Sequence, residues 1–184
     1  MQWLLAALAL VAAPVLVGAA PVSRTLEGFV VYVVDGDTIH VRMDNRVEKV
    51  RYLGINAPEI AHPHRGAPPP RPRAHGAFPH TAAAGDAAKR INLDLAGGQH
   101  VRLELDRQHR DEHGRLLAYV WVGETMLNAE MLKRGYAEVM SIPPDLRYRG
   151  LFTRLQNEAR QAGRGLWVES NRVERALTRP HAVR

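Results

Sequence analysis

The sequence has no cysteine among its 184 residues. This absence excludes disulfide bonds, catalysis by a thiolate and zinc sites with cysteine ligands. The folded chain must therefore be stabilised by packing, with or without a bound ion. Aromatic residues are also scarce, at 6% of the chain, so few side chains are available to stack on a flat ligand.

Long hydrophobic runs are missing after the first part of the chain. The opening "MQWLLAALALVAAPVLVGAAP" has no charged side chain, is apolar from Trp3 to Leu16 and ends in small residues, a pattern typical of a secretory signal. We predict a signal peptide at residues 1–20, cleaved near Ala19 or Ala20, and an exported, periplasmic or extracellular monomer without stable membrane association. Because no Lys or Arg precedes the apolar run, an uncleaved membrane anchor is the alternative.

Lysine is rare as well. Only Lys49, Lys89 and Lys133 contribute to the 25 basic residues, so arginine dominates a chain whose net charge is +6. Guanidinium groups bind phosphate oxygens in pairs, and the charge is consistent with a polyanionic partner. Codon usage in a GC-rich genome would explain the arginines equally well, so charge alone does not decide the function.

Five segments have the composition of β-strands. Residues 26–34, 38–43 and 47–53 are rich in β-branched residues and are separated by short turn signals, which favours an antiparallel meander. Residues 99–106 alternate apolar and polar side chains, and residues 116–122 follow the turn "RDEHGR". We therefore predict five strands, of which the first three are consecutive neighbours.

Three segments predict helices: residues 81–96, 126–134 and a third with an apolar face from Tyr148 to Ala162. Together with the strands they indicate an α+β, mainly β fold, a small closed barrel with helices at one end, in a domain at residues 26–169. The intervening residues 61–80 hold six of the twelve prolines and predict a long surface loop. The basic residues 170–184 predict a disordered tail.

Four charged residues stand where strands end. Asp37 follows Gly36 in a tight turn, from which a carboxylate can reach a hard cation, although Asp-Gly is also a common hairpin turn. Arg51 lies within an apolar alternation, where a charge is costly unless it is paired or faces a site; a solvent-facing arginine is the alternative. Glu59 follows a rigid proline and could be a general base, and Arg115 opens a strand after a glycine.

The segments "VVDGDTIHV", "VRYLGINAPE", "DEHGRLLAYV" and "LNAEMLKRGYAEV" together resemble the thermonuclease, or staphylococcal nuclease-like, family. The resemblance covers about Gly28 to Trp167. It implies a five-stranded OB-type barrel with three helices that hydrolyses DNA and RNA, single-stranded or denatured in preference. It also implies calcium as cofactor, with magnesium or manganese as alternatives, and products that end in a 3′-phosphate.

The same resemblance assigns roles to individual residues. Asp37 matches the metal-binding aspartate, Arg51 the arginine that grips the phosphate, Glu59 the general base, and Arg115 the arginine that stabilises the transition state. Asn56 departs from the family, which has a second metal-ligating aspartate there. An amide keeps a ligating oxygen but removes a negative charge, so we expect weaker metal binding.

Three further interpretations complete the expectations. Ala57 stands where the family has a threonine that ligates through its carbonyl, which any residue can supply. Tyr136 and Tyr148 are our candidates for stacking on substrate bases, although either would also suit the core. The alternative functions are a non-catalytic OB-fold protein that binds single-stranded nucleic acid and, more remotely, a glycosidase with Asp37 and Glu59 as its acid–base pair.

Overall fold

The computed structural model describes residues 24–60, 81–140, 143–144 and 147–168. The signal segment, the proline-rich loop at 61–80 and the tail at 170–184 lie outside the described residues, so our expectations about them, and about export, stay predictions. No helix in the described ranges is long and apolar enough to cross a membrane.

The strands build a closed barrel. In chain order the described residues form β1 (Thr25–Val33), β2 (Thr38–Met43), β3 (Arg46–Tyr52), β4 (Ile55–Asn56), β5 (His100–Glu104), β6 (Leu116–Val122), β7 (Thr125–Met126) and β8 (Glu138–Val139). The main sheet has the order β3-β2-β1-β5-β6-β7, and β1, β2 and β3 pair antiparallel, which confirms the predicted meander. Parallel pairing of β3 with β6 closes the barrel. The predicted five-stranded, mainly β, OB-type barrel is therefore confirmed.

Within the described ranges three helices pack on this barrel, as predicted: α1 (Ala82–Ala96), α2 (Leu127–Lys133) and α3 (Arg149–Gln161). The hydroxyl of Thr81 caps α1 by accepting a hydrogen bond from the N–H of Ala84 at 3.1 Å. The buried face of α1 consists of small side chains, so the helix backbone can approach the barrel closely.

A buried asparagine ties α2 to the end of β3. The Asn128 amide donates to the carbonyl of Leu53 at 2.8 Å and accepts from the N–H of Val120 at 2.8 Å. Asn128 has no exposed surface, so both hydrogen bonds are shielded from water. This contact fixes the turn that follows β3, the strand that carries Arg51.

Candidate active site

The turn between β1 and β2 is held against α1. A Cβ atom on Gly36 would lie 2.5 Å from the Cβ of Ala57 and 2.8 Å from that of Ala88, so only glycine allows this close approach. The backbone N–H of Asp37 donates to the carboxylate of Asp35 at 3.0 Å. The turn is therefore fixed both by packing and by its own carboxylate.

Helix α1 also reaches this turn through a polar contact that the sequence analysis missed. The Asn92 amide donates to the backbone oxygen of Asp35 at 2.8 Å and accepts from the Tyr52 hydroxyl at 2.8 Å. Asn92 is fully buried, with Ala88 and Ala96 one turn away on either side. An asparagine at that spacing on an otherwise apolar helix face is the signal that could have revealed it.

Four of the residues predicted for the site are in mutual contact. One terminal nitrogen of Arg51, Nη1, forms an ion pair with Oδ1 of Asp37, and the other, Nη2, donates to Oδ1 of Asn56 at 3.0 Å. The backbone N–H of Ala57 donates to Oδ2 of Asp37 at 2.6 Å. Asp37 is 2% exposed and Arg51 is 7% exposed. The arginine in the strand is thus paired and buried, and the solvent-facing alternative is wrong.

Burial governs the electrostatics of this cluster. It lowers the pKa of Arg51 to about 10, and the positive charge of Arg115 adds to that effect, while the carboxylates of Asp35 and Glu59 oppose it. Burial likewise raises the pKa of Asp35, against the charge of Arg51. Arg51 remains protonated at neutral pH, and its charge acts in a medium that screens it poorly.

Arg115 is oriented by a tight loop before β6. Its Nε lies 2.6 Å from Oδ2 of Asp111, and its backbone N–H donates to Oδ1 of the same carboxylate at 2.9 Å. Burial alone would raise the pKa of Asp111, but the hydrogen bonds and charge of Arg115 lower it. Asp111 was not assigned a role from the sequence, although an acidic residue four positions before an arginine can indicate an ion pair.

The two arginines lie at a single cleft of about 320 Å³. Its walls are formed by Arg51, Tyr52, Leu53, Gly54, Gln108, Asp111, Glu112, His113, Arg115, Leu117 and Met140. Parallel pairing of Arg51 with Leu117 on β6 brings the two strands together here. Arg51 and Arg115 therefore line the same cavity, and Asp37, which is not among the lining residues, pairs with Arg51.

Glu59 is exposed beside this cluster. It follows the buried Pro58, and its backbone packs so closely on α1 that a Cβ on Gly85 would lie 2.1 Å from the Glu59 oxygen. Its negative charge is among those that act on Arg51. The backbone of Glu59 is thus held in place by its packing on α1. The assignment of its side chain as general base stays a prediction.

The two tyrosines predicted to bind substrate lie elsewhere. The Tyr148 hydroxyl contacts both carboxylate oxygens of Glu104 at 3.1 Å, and its ring packs edge-on against Tyr119 at 4.6 Å. Tyr136 is half-buried against the core. Neither is among the described residues that line the cleft. Their role in binding stays a prediction.

Asp37 and Asn56 are the candidate side-chain ligands for a divalent ion. Within the described ranges no group of three or more His, Asp or Glu side chains could hold a metal ion. Asp37 and Asn56 do provide oxygen ligands of the kind that calcium and magnesium prefer. Both side chains contact the guanidinium group of Arg51. The residues therefore fit a hard cation in donor type, with a single carboxylate from Asp37 as their negative charge.

The structure is thus a small OB-type barrel in which two arginines line one cleft and a buried aspartate pairs with one of them. The family model described as "Staphylococcal nuclease homologue" matches residues 49–169. The thermonuclease of Staphylococcus intermedius is 36% identical over 135 residues, 73% of this chain and 72% of its own length. The thermonuclease of Staphylococcus hyicus is 33% identical over 138 residues, 75% of this chain and 73% of its own length. Endonuclease YncB of Bacillus subtilis is 31% identical over 142 residues, 76% of this chain and 61% of its own length. The chain belongs to the staphylococcal nuclease family.

Proposed function

We propose that this protein is a metal-dependent nuclease that hydrolyses phosphodiester bonds of DNA and RNA with low sequence specificity, favours single strands and leaves 3′-phosphate ends. The observation that carries the proposal is Arg51, held between Asp37 and Asn56 at the wall of the cleft it shares with Arg115. The printed names of the relatives, thermonuclease and endonuclease, support the same activity.

The arginines are suited to bind a phosphodiester and to stabilise its transition state. When water attacks phosphorus, negative charge grows on the equatorial oxygens, and two guanidinium groups in a poorly screened cleft interact more strongly with that charge than with the ground state. Glu59 takes the proton of the attacking water. The bond from phosphorus to the 5′ oxygen breaks, and the leaving oxygen takes a proton from solvent, so that the products are a 3′-phosphate and a 5′-hydroxyl.

Asp37, Asn56 and the carbonyl of Ala57 are the groups that would hold calcium. A bound cation would supply positive charge that stabilises the charge growing on the phosphate oxygens. The side-chain oxygens of Asp37 and Asn56 already bond Arg51, so the cation competes with the arginine for them. We therefore expect weak calcium binding, with magnesium or manganese as alternatives.

Digestion of denatured DNA tests the activity. We expect cleavage with calcium, loss of cleavage with a chelator, and 3′-phosphate ends that a phosphatase releases. If binding of denatured DNA persists while calcium, magnesium and manganese all fail to support cleavage, the chain is a nucleic-acid-binding barrel and the nuclease proposal is wrong. Asn56 favours that second function, because the family has a metal-ligating aspartate at this position.

Replacing Asn56 by aspartate should increase metal affinity about tenfold, because a second carboxylate is added to the ligand set. The expected result is a lower calcium concentration at half-maximal rate and a matching shift in calorimetric calcium binding. Asn56→Ala, which removes the oxygen, should move both values the other way. Unchanged calcium binding in Asn56→Asp would show that this side chain is not a ligand.

A further inference from the structure

Six side chains form what we name the basic–aromatic face, on the outside of the barrel: Phe29, Tyr32, His40, Arg42, Lys49 and His100. Directly paired residues on neighbouring strands point to the same side of a sheet. Phe29 pairs with Arg42 on β2 and with His100 on β5. Tyr32 pairs with His40, which pairs in turn with Lys49. An irregularity between Val30 and Tyr32 brings Tyr32 back to the side of Phe29.

Cations accompany the rings of this face. The Arg42 guanidinium lies 5.5 Å from the centre of the Phe29 ring, and the Lys89 ammonium from α1 lies 5.3 Å from that of Tyr32. The Tyr32 side chain is among the exposed large hydrophobic groups, at 54%. Glu27, on the same strand, is an exposed carboxylate nearby and pairs across the sheet with Arg102. Positive charge therefore prevails around the exposed Tyr32 ring and the half-buried Phe29 ring.

The basic–aromatic face continues into the cleft. Lys49 and Arg51 are two residues apart on β3, so their side chains project to the same side of the strand. Lys49 is exposed, whereas Arg51 is buried against Asp37 and lines the cleft. A chain lying along the face would thus pass from Phe29 and Tyr32 over Lys49 to the arginines.

We propose that the basic–aromatic face is an accessory binding surface for the single-stranded polynucleotide whose phosphodiester is cleaved in the cleft. The inference rests on the proposed function and goes beyond it, because none of the six residues belongs to the cleft. Alternating rings and cations match alternating bases and phosphates. The rings can stack only on unpaired bases, so the face selects single strands over duplexes.

The first experiment removes charge from the face. Arg42→Gln/Lys49→Gln is compared with Lys133→Gln/Arg154→Gln, which removes the same charge from exposed positions on α2 and α3. The probe is a labelled oligothymidylate of about twelve nucleotides, within the range that one OB-type barrel covers. Without divalent ions, we expect the face variant to bind about tenfold more weakly. Its plot of log Kd against log salt should lose about 1.4 in slope, about 0.7 for each lost phosphate contact. An equal loss in the control pair would overturn the proposal.

The second experiment tests the ring. Tyr32→Leu should weaken binding of the same oligomer about fivefold, whereas Tyr32→Phe, which keeps the ring, should bind like the native chain. Duplex binding should be the same in all three proteins. Equal weakening with the duplex, or no weakening in Tyr32→Leu, would show that the ring does not stack on bases.

Kinetics separate this proposal from the proposed function. For the face variant we expect an increase of about tenfold in KM on the long oligomer, an unchanged kcat and unchanged cleavage of a dinucleotide that fills only the cleft. An equal loss on the dinucleotide would mean that the substitutions act through the cleft. If the native chain cleaves neither substrate, the proposed function fails, and the binding experiments still decide the role of the face.

Discussion

Replacing Arg51 by glutamine should lower kcat by about 10²–10³ and also destabilise the fold by about 3 kcal/mol. The rate falls because a charge that faces the phosphate in the transition state is lost. The stability falls because Asp37, 2% exposed, is left as a buried carboxylate without its ion pair. Single-turnover cleavage and urea unfolding measure the two effects on one protein.

Arg115→Gln is the matched control for Arg51→Gln. It removes the same charge from the same cleft, but its side chain is 26% exposed and its partner Asp111 is 16% exposed, so water can solvate what remains. We expect a similar loss of rate with a change of less than about 1 kcal/mol in the free energy of unfolding. If both variants lose stability equally, or if Arg51→Gln keeps its rate, it is wrong to assign both stability and catalysis to Arg51 and catalysis alone to Arg115.

The barrel was largely predictable because strand periodicity is local. The two strands that run 38–43 and 116–122 have the predicted limits, since turn residues bound both of them. β4 and β8 were not predicted, because two residues are too few for an alternation of apolar and polar side chains. The parallel closure of β3 on β6 depends on pairing between distant segments, which a local pattern does not encode.

The sequence indicated which residues belong to the site, but it did not indicate which partners they contact. The position of Arg51 within an apolar strand indicated that its charge is paired. Its partners, Asp37 and Asn56, could not be predicted, because they are brought to Arg51 by the folding of the segments before and after its strand. Asn92 reaches the turn from 57 positions away in sequence, and only packing of α1 on the barrel brings it there. The hydroxyl of Tyr148 is engaged by Glu104, a contact that the spacing of apolar residues in α3 could not indicate.

The buried Arg51 links the stability of this cluster to its proposed role in cleavage. A guanidinium held by Asp37 and Asn56 is already oriented before substrate arrives, so little reorganisation is needed when negative charge develops. The same two side chains are the candidate metal ligands. We therefore expect ion binding and the orientation of Arg51 to be coupled through these shared oxygens, so that substitution of Asp37 or Asn56 should affect both.

Replacing Glu59 by glutamine should lower kcat by about 10²–10⁴ while leaving substrate binding and stability unchanged. The side chain is exposed, so its loss costs the fold little, but glutamine cannot take a proton from water. Single-turnover cleavage, urea unfolding and oligomer binding without divalent ions measure these three properties.

Glu112→Gln is the control for Glu59→Gln, because it removes the same charge from an 86% exposed side chain that lines the cleft of Arg51 and Arg115. A carboxylate that only modifies the local field should give similar small effects at either position. A general base should matter at Glu59 alone, since proton transfer requires one positioned group. Equal, modest losses of kcat in the two variants would therefore show that Glu59 is not the general base. The arginines would then be the principal catalytic groups.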